Sequence, residues 1–235
     1  MYISHLSLTN FRVFKSLEVD VPPTVTVIIG NNAQGKTSFL EAVNFFSTLT
    51  SVQTGKDKEL INFQALEDDL PVARLLANYH RENRNHTIEA HLVMNKISTG
   101  NIRLRKEVLL DGIKRPLQHA LGNVNSVIFL PQMTEIIEGS PEERRRYLDI
   151  TISQVYPRYA HELSEYNQAI IQRNALLKIL GERGGNLDQL DFWDERIAEK
   201  GSFIMHMRWQ MLGEFEQNIS ATYMKLSEGE LPLNI

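Results

Sequence analysis

The chain has 235 residues, enough for one large domain or for one domain with a substantial appendage. Apolar residues make up 42% and charged residues 23%, a balance that supports a packed core and excludes a wholly disordered chain. Net charge is −4 and cysteine is absent, which rules out disulfides, thiolate metal sites and thiol nucleophiles. No apolar run approaches the roughly 18 residues of a membrane span, and no basic-then-apolar leader opens the chain. The expectation is a cytoplasmic protein with no membrane partner. Positive and negative charges nearly balance up to residue 135 and acids dominate afterwards, so any nucleic-acid contact must come from local patches.

In chain order, residues 3–8 alternate apolar and polar, as a half-buried strand does. A second strand is expected over 17–21, ended by Pro22 and Pro23. Residues 24–29 (Thr-Val-Thr-Val-Ile-Ile) are apolar and β-branched and read as a buried strand. Then come Gly30, Asn31, Asn32, Ala33, Gln34, Gly35, Lys36 and Thr37, which fit the phosphate-binding pattern G-x-x-x-x-G-K-[ST] at every fixed position. The two glycines let consecutive amides turn toward phosphate oxygens, Lys36 brings an ammonium to the β- and γ-phosphates, and the Thr37 hydroxyl can ligate Mg²⁺. A helix is expected from Lys36 to about residue 49, with Phe39, Leu40, Val43 and Phe46 on its apolar face and anion-binding amides at its start. This is the sequence of a nucleotide-binding protein.

Further strands are expected at 72–80, 87–93 and 102–110, followed by a buried apolar strand at 124–130 that Pro131 stops. So many strands around one long helix point to an α/β lobe with a mixed or antiparallel sheet. The character changes after Gly139. Ser140 caps, Pro141 suits the first helical position, and Glu142 and Glu143 complement the dipole. Helices are expected at 142–155, 157–180 and 187–226, with a turn over 181–186. The third has an apolar stripe at Leu190, Trp193, Ile197, Ile204, Met211, Phe215, Ile219 and Leu226 and would be about 60 Å long. The last two helices should pair as an antiparallel arm. The expected organisation is an ATPase lobe over 1–138, a helical arm lobe over 139–228, and over 229–235 a strand returning to the first lobe.

Two segments imitate catalytic motifs. Residues 108–111 (Val-Leu-Leu-Asp) look like an apolar strand ending in a Mg²⁺-binding aspartate. Gly112 follows, however, and Asp-Gly between two strand-like runs is a hairpin signal. Residues 226–230 (Leu-Ser-Glu-Gly-Glu) resemble the signature by which ABC-type ATPases contact the opposite subunit's γ-phosphate. That signature must open a helix, whereas Pro232 and a strand-like run follow here, so a turn is the better reading. The seven histidines show no metal-ligand spacing.

Several segments together resemble the RecF family of the SMC/ABC class. They are residues 8–12 (Leu-Thr-Asn-Phe-Arg), 30–38 running into Leu40-Glu41-Ala42, 58–61 (Lys-Glu-Leu-Ile), 127–131 (Val-Ile-Phe-Leu-Pro), 139–149 (Gly-Ser-Pro-Glu-Glu-Arg-Arg-Arg-Tyr-Leu-Asp) and 172–178 (Gln-Arg-Asn-Ala-Leu-Leu-Lys). The resemblance covers nearly the whole chain and matches the amino-terminal two-thirds of that family. It implies ATP and Mg²⁺ as cofactors, an ATP-dependent homodimer on double-stranded DNA, slow hydrolysis, and RecR- and RecO-type partners in recombinase loading at gaps. It also implies nucleotide contacts from Arg12, Asn32 and Ser38, and a Mg²⁺- and γ-phosphate-sensing position at Gln132, where the family more often carries an acid. Residues 49–54 depart from the family's Gly-Arg-Ser-x-Arg-Thr segment and lack both arginines, as in a divergent member. The family's signature helix and acidic Mg²⁺ site would follow Ile235, so the chain is expected to be a fragment, without a catalytic base of its own.

DNA phosphates could be met by Arg103, Arg105, Lys106, Lys114 and Arg115, and by Arg144 and Arg145. The plainer reading makes these an exposed hairpin and a solvated helix face opposite Glu142 and Glu143. Two other functions compete: a small-molecule or nucleoside kinase with a helical lid, which needs Asp111 on a central strand, and a non-hydrolysing nucleotide-dependent interaction protein.

Overall fold

The computed structural model describes residues 1–51, 57–96 and 102–227. The chain forms two compact units, Met1–Met133 and Thr134–Ile235.

The first unit is built on an antiparallel sheet with strand order β2-β1-β3-β4-β5-β6. The strands are β1 (Tyr2–Phe11), β2 (Phe14–Asp20), β3 (Val72–Arg81), β4 (Arg84–Lys96), β5 (Ile102–Leu110) and β6 (Ile113–Arg115). Strand alternation sorts the side chains into two faces. Leu6 and Leu8 of β1, Leu75 and Ala77 of β3, Ile88, Ala90 and Leu92 of β4 and Val108 of β5 share the buried face. Helix α1 (Lys36–Thr48) supplies Ala42, Phe45 and Phe46 to the same core. The short α2 (Leu117–Ala120) adds Ala120. The opposite face is polar. There His5 sits between Glu18 and Asp20, and its hydrogen bond to the Asp20 carboxylate raises its pKa.

The hairpin reading of Asp111 holds. Leu110 pairs with Ile113, and Asp111 and Gly112 turn between them with φ of +49° and +76°. The Asp111 carboxylate accepts the Thr87 N–H at 2.8 Å and meets His86 Nδ1 at 3.0 Å. His86 first, then Thr87, hold its pKa below the usual carboxylate range.

Two expected buried strands do not form. Residues 24–29 and 124–130 are not assigned to any strand, and neither run pairs with a strand among the described residues. Val25, Val27 and Ile29 are exposed, as are Val127 and Phe129. A β-branched run becomes a strand only beside a neighbour that satisfies its amides and carbonyls. Of the expected apolar face of α1, Phe46 is buried and Phe39 and Val43 pack against the core, while Leu40 is exposed; Glu41, Ala42, Asn44, Phe45 and Ser47 are buried as well.

The second unit is helical: α3 (Glu135–Glu138), α4 (Pro141–Val155), α5 (Pro157–Arg183) and α6 (Asp191–Leu226). Ser140 caps α4 reciprocally, its Oγ accepting the Glu143 N–H while the Glu143 carboxylate accepts the Ser140 N–H. Helix α5 runs through Gly181 and ends only at Gly184, whose φ of +70° suits glycine. Antiparallel pairing of α5 with α6 follows from its contacts: Arg173 bonds Asp194, Lys200 bridges Glu162 and Glu165, and Arg158 lies over the Phe203 ring. Ile152, Tyr159, Ile204 and Met211 form the core. Ile204 is buried, and Trp193 and Ile197 are partly covered, as the arm requires. Ile219 and Leu226 are exposed, because the 36 residues of α6 outrun the 27 of α5. The expected turn at 226–230, the strand at 229–235 and residues 52–54 lie outside the described residues, wholly or in part.

Candidate phosphate-binding site

The site is the turn from extended chain into α1. Gly30, Ala33 and Gly35 have φ of +154°, +64° and +92°, so three residues of the loop leave the ordinary right-handed regions. Glycine suits two of these positions, and Ala33 carries the strain of a left-handed residue. Gly35 is required for a second reason. A Cβ there would lie 2.6 Å from the Phe14 ring and 2.7 Å from a Val13 methyl. The loop therefore rests directly on the turn between β1 and β2.

The first bond of α1 runs from the Phe39 N–H to the Gly35 carbonyl at 2.9 Å. The amides of Lys36, Thr37 and Ser38 consequently have no intrahelical acceptor and sit at the positive end of the helix dipole. The Lys36 ammonium curls into the loop and donates to the carbonyls of Gly30 at 2.8 Å and Asn31 at 2.7 Å. Gly30, Asn31, Asn32, Ala33, Gln34 and Thr37 are exposed. Turned backbone, unpaired amides, a central ammonium and an accessible hydroxyl together fit a polyphosphate with its bound Mg²⁺.

The Arg12 guanidinium is engaged by Glu41 and the Glu59 carbonyl. Its Nε and Nη2 donate to the two Glu41 carboxylate oxygens at 2.7 and 2.8 Å, and Nη1 donates to the Glu59 carbonyl at 3.0 Å. Glu41 is 2% exposed and also accepts the Ser51 hydroxyl at 2.8 Å. Val13 and Phe14 were not singled out from sequence, and Glu41 entered only as part of the family resemblance, without this role. A single acid among the apolar residues of α1 was the available signal, since a buried carboxylate demands a cation. Gln132 lies in a turn over Pro131–Thr134, and its side chain falls outside the described residues.

The five hairpin cations do not form one patch. Arg103, Arg105 and Lys114 alternate onto the polar sheet face, where Arg105 and Lys114 both pair with Glu107 at 3.0 and 2.7 Å. Lys106 and Arg115 point the other way. Lys106 is committed to the Leu49 carbonyl at 2.7 Å and Asp57 at 2.6 Å, which leaves it poorly placed for DNA. In the second unit Arg144 donates to the carbonyls of Ile137 and Gly139, and Arg145 is exposed. No group of three or more His, Asp or Glu that could hold a metal occurs among the described residues.

Comparison with known proteins adds three findings. Residues 1–89 match the family model of an AAA ATPase domain. The DNA replication and repair protein RecF of Herpetosiphon aurantiacus is 36% identical over all of this chain and 63% of its own length. RecF of Roseiflexus castenholzii is 34% identical over all of this chain and 62% of its own. Among solved structures, the recombination mediator protein RecF with ATP, of the RecFOR pathway, superposes with a TM-score of 0.82 at 31% identity. It is matched over 97% of this chain and 58% of its own. A second structure of that mediator, with ATPrS, gives 0.80 at 32% identity. The antiparallel sheet with its helices thus has the fold of an ABC-type ATPase head as found in RecF. The chain spans 62–63% of the length of these curated relatives. Along its length, this chain is similar to the amino-terminal portion of the RecF proteins.

Proposed function

We propose that this chain binds ATP on the loop of residues 30–38 and forms the nucleotide-binding part of a RecF-type DNA repair and recombination ATPase. The observation that carries this is the geometry around Lys36: an ammonium held inside a turned loop at the amino terminus of a 13-residue helix. Nucleotide phosphates take the place of the Gly30 and Asn31 carbonyls as acceptors. Thr37 supplies a hydroxyl to Mg²⁺, with Gln132 as a second ligand. Positioning and charge neutralisation are what such a loop contributes to phosphoryl transfer, and hydrolysis is slow.

The relatives' description as DNA repair proteins and as a RecFOR mediator supports the finer reading. In it the protein is cytoplasmic, dimerises with ATP on double-stranded DNA, and works with RecR- and RecO-type partners. Arg103, Arg105, Arg115 and Lys114, with Arg144 and Arg145, are its candidate DNA contacts. The kinase alternative loses its support, because Asp111 turns a hairpin instead of ending a central strand.

Fluorescent mant-ATP titration tests the central reading. Wild-type chain should bind and Lys36→Ala should bind at least thirtyfold more weakly, as loss of a charge-assisted phosphate contact of about 2–3 kcal/mol requires. Equal affinity would overturn it.

A further inference from the structure

The turn from Asn10 to Phe14 is tied down with unusual thoroughness. Asn10 and Arg12 both adopt φ of +51°, a left-handed conformation that non-glycine residues hold only when their surroundings enforce it. The Arg12 N–H donates to the Leu60 carbonyl at 2.7 Å, and the Arg12 carbonyl accepts from Asn62 Nδ2 at 2.6 Å. Asn62 also donates its N–H to the Asn10 carbonyl at 2.8 Å. The Arg12 guanidinium then reaches α1 and clasps Glu41 with two bonds. Glu41 lies four residues beyond Thr37, one helical turn along the helix that carries the phosphate loop.

The other side of this turn is the floor of the loop. Val13 and Phe14 lie so close to Gly35 that no side chain fits between them. A single rigid link therefore runs from Glu41 through Arg12 to Val13 and Phe14, and returns to α1 at Gly35. An isolated carboxylate buried at Glu41 would be unfavourable, and the bidentate Arg12 pair makes its burial tolerable. The price is a fixed distance between the β1–β2 turn and α1. We propose that Arg12 and Glu41 are positioning residues for the phosphate loop: their ion pair presses Val13 and Phe14 against Gly35 and so holds the amides of residues 31–35 in phosphate-binding geometry. Neither residue needs to touch nucleotide for this. The proposal rests on the reading of residues 30–38 as a nucleotide site, but its effect on the loop exists without nucleotide.

The experiment uses Glu41→Gln, Arg12→Lys and Val13→Ala, with Lys36→Ala as reference. Val13 is 54% exposed, so its truncation tests the floor without emptying the core. Two readouts are taken: mant-ATP and mant-ADP affinity, and hydrogen exchange of amides 31–35 in the nucleotide-free chain. Glu41→Gln and Val13→Ala should each weaken both nucleotides about tenfold. Both should speed exchange of the loop amides, while Val13→Ala leaves exchange in β3 and β4 and the unfolding midpoint as in wild type. A merely structural pair would leave loop exchange and affinity unchanged in Val13→Ala and would move only the midpoint in Glu41→Gln. Weaker binding confined to Arg12→Lys, with normal loop exchange throughout, would mean that Arg12 contacts nucleotide directly and would overturn the proposal. Should wild type bind neither nucleotide, the function proposed above fails, and loop exchange in Val13→Ala still decides this one.

Discussion

At the scale of single residues, charge and backbone strain concentrate around α1. Glu41 is almost wholly buried, and Arg12 supplies its cation. Breaking a buried pair from one side strands the other charge, so Arg12→Ala should lower stability by about 3–5 kcal/mol. Glu41→Ala leaves the guanidinium less buried and should be milder. Denaturant titration of both variants checks the order, and an equal, small loss would contradict it. Gly35→Ala is a different case: a methyl 2.6–2.9 Å from Phe14 and Val13, at φ of +92°, forces the floor and the loop apart. Nucleotide affinity should collapse in that variant even where the chain still folds, which mant-ATP titration beside a melting curve would show. The glycine pattern was legible in the sequence and so was its phosphate chemistry. What lay under Gly35 was not, because Val13 and Phe14 are brought there by a turn that local pattern does not describe.

At the scale of elements, the helical pair of the second unit is fastened by charges laid along one seam. Lys200 lies 2.8 and 2.9 Å from Glu162 and Glu165 and is itself only 13% exposed. Its hydrogen bonds hold both carboxylates below their ordinary pKa, and the same bonds raise that of Lys200. A carboxylate with a depressed folded value binds protons more readily when unfolded, so its contribution is complete above the unfolded value near 4.3 and fades as pH falls through the folded one. The unfolding midpoint should therefore drop between about pH 5 and pH 3, and Lys200→Met should flatten that part of the profile. The raised lysine affects only strongly alkaline solutions. Closer to α4, Tyr159 is fully buried, donates to Asp149, and receives a bond from Arg208, which clasps Asp149 as well. Burial first, then Asp149, raise the Tyr159 pKa. Tyr159→Phe removes the donor from a charged acceptor and should cost about 1.5–3 kcal/mol by chemical denaturation. Helical periodicity in the sequence anticipated this pairing. It did not anticipate that α5 continues to Arg183, since an internal Gly181 reads as a stop when the tertiary partner is unknown.

At the scale of the whole molecule, the phosphate loop supplies Lys36 and Thr37, while the described residues offer no acidic cluster beside them. Electrostatic stabilisation and a positioned water account for most of phosphoryl-transfer catalysis. The purified 235-residue chain should accordingly bind nucleotide yet release phosphate at little above the background rate, and Lys36→Ala should leave that rate unchanged. Robust, Lys36-dependent turnover would show that a base exists within the chain. Apolar, β-branched residues in 24–29 and 124–130 carry a strong strand signal, yet Val27 and Phe129 stand exposed with no strand paired to them among the described residues. Composition reports which surface wants cover and cannot report what covers it. By itself the sequence determined what depends on neighbours along the chain: the phosphate loop, the Asp111–Gly112 hairpin, the capped start of α4 and the period of the long helices. Their physics is local, set by φ preferences, amide geometry and periodicity within a few residues. Only the tertiary structure decided that Arg12 clasps Glu41, that Lys106 turns inward to Asp57, and that Val13 and Phe14 support Gly35. Those contacts join residues 21 to 49 positions apart, where no sequence period can reach and only the packing of strand against helix chooses the partner.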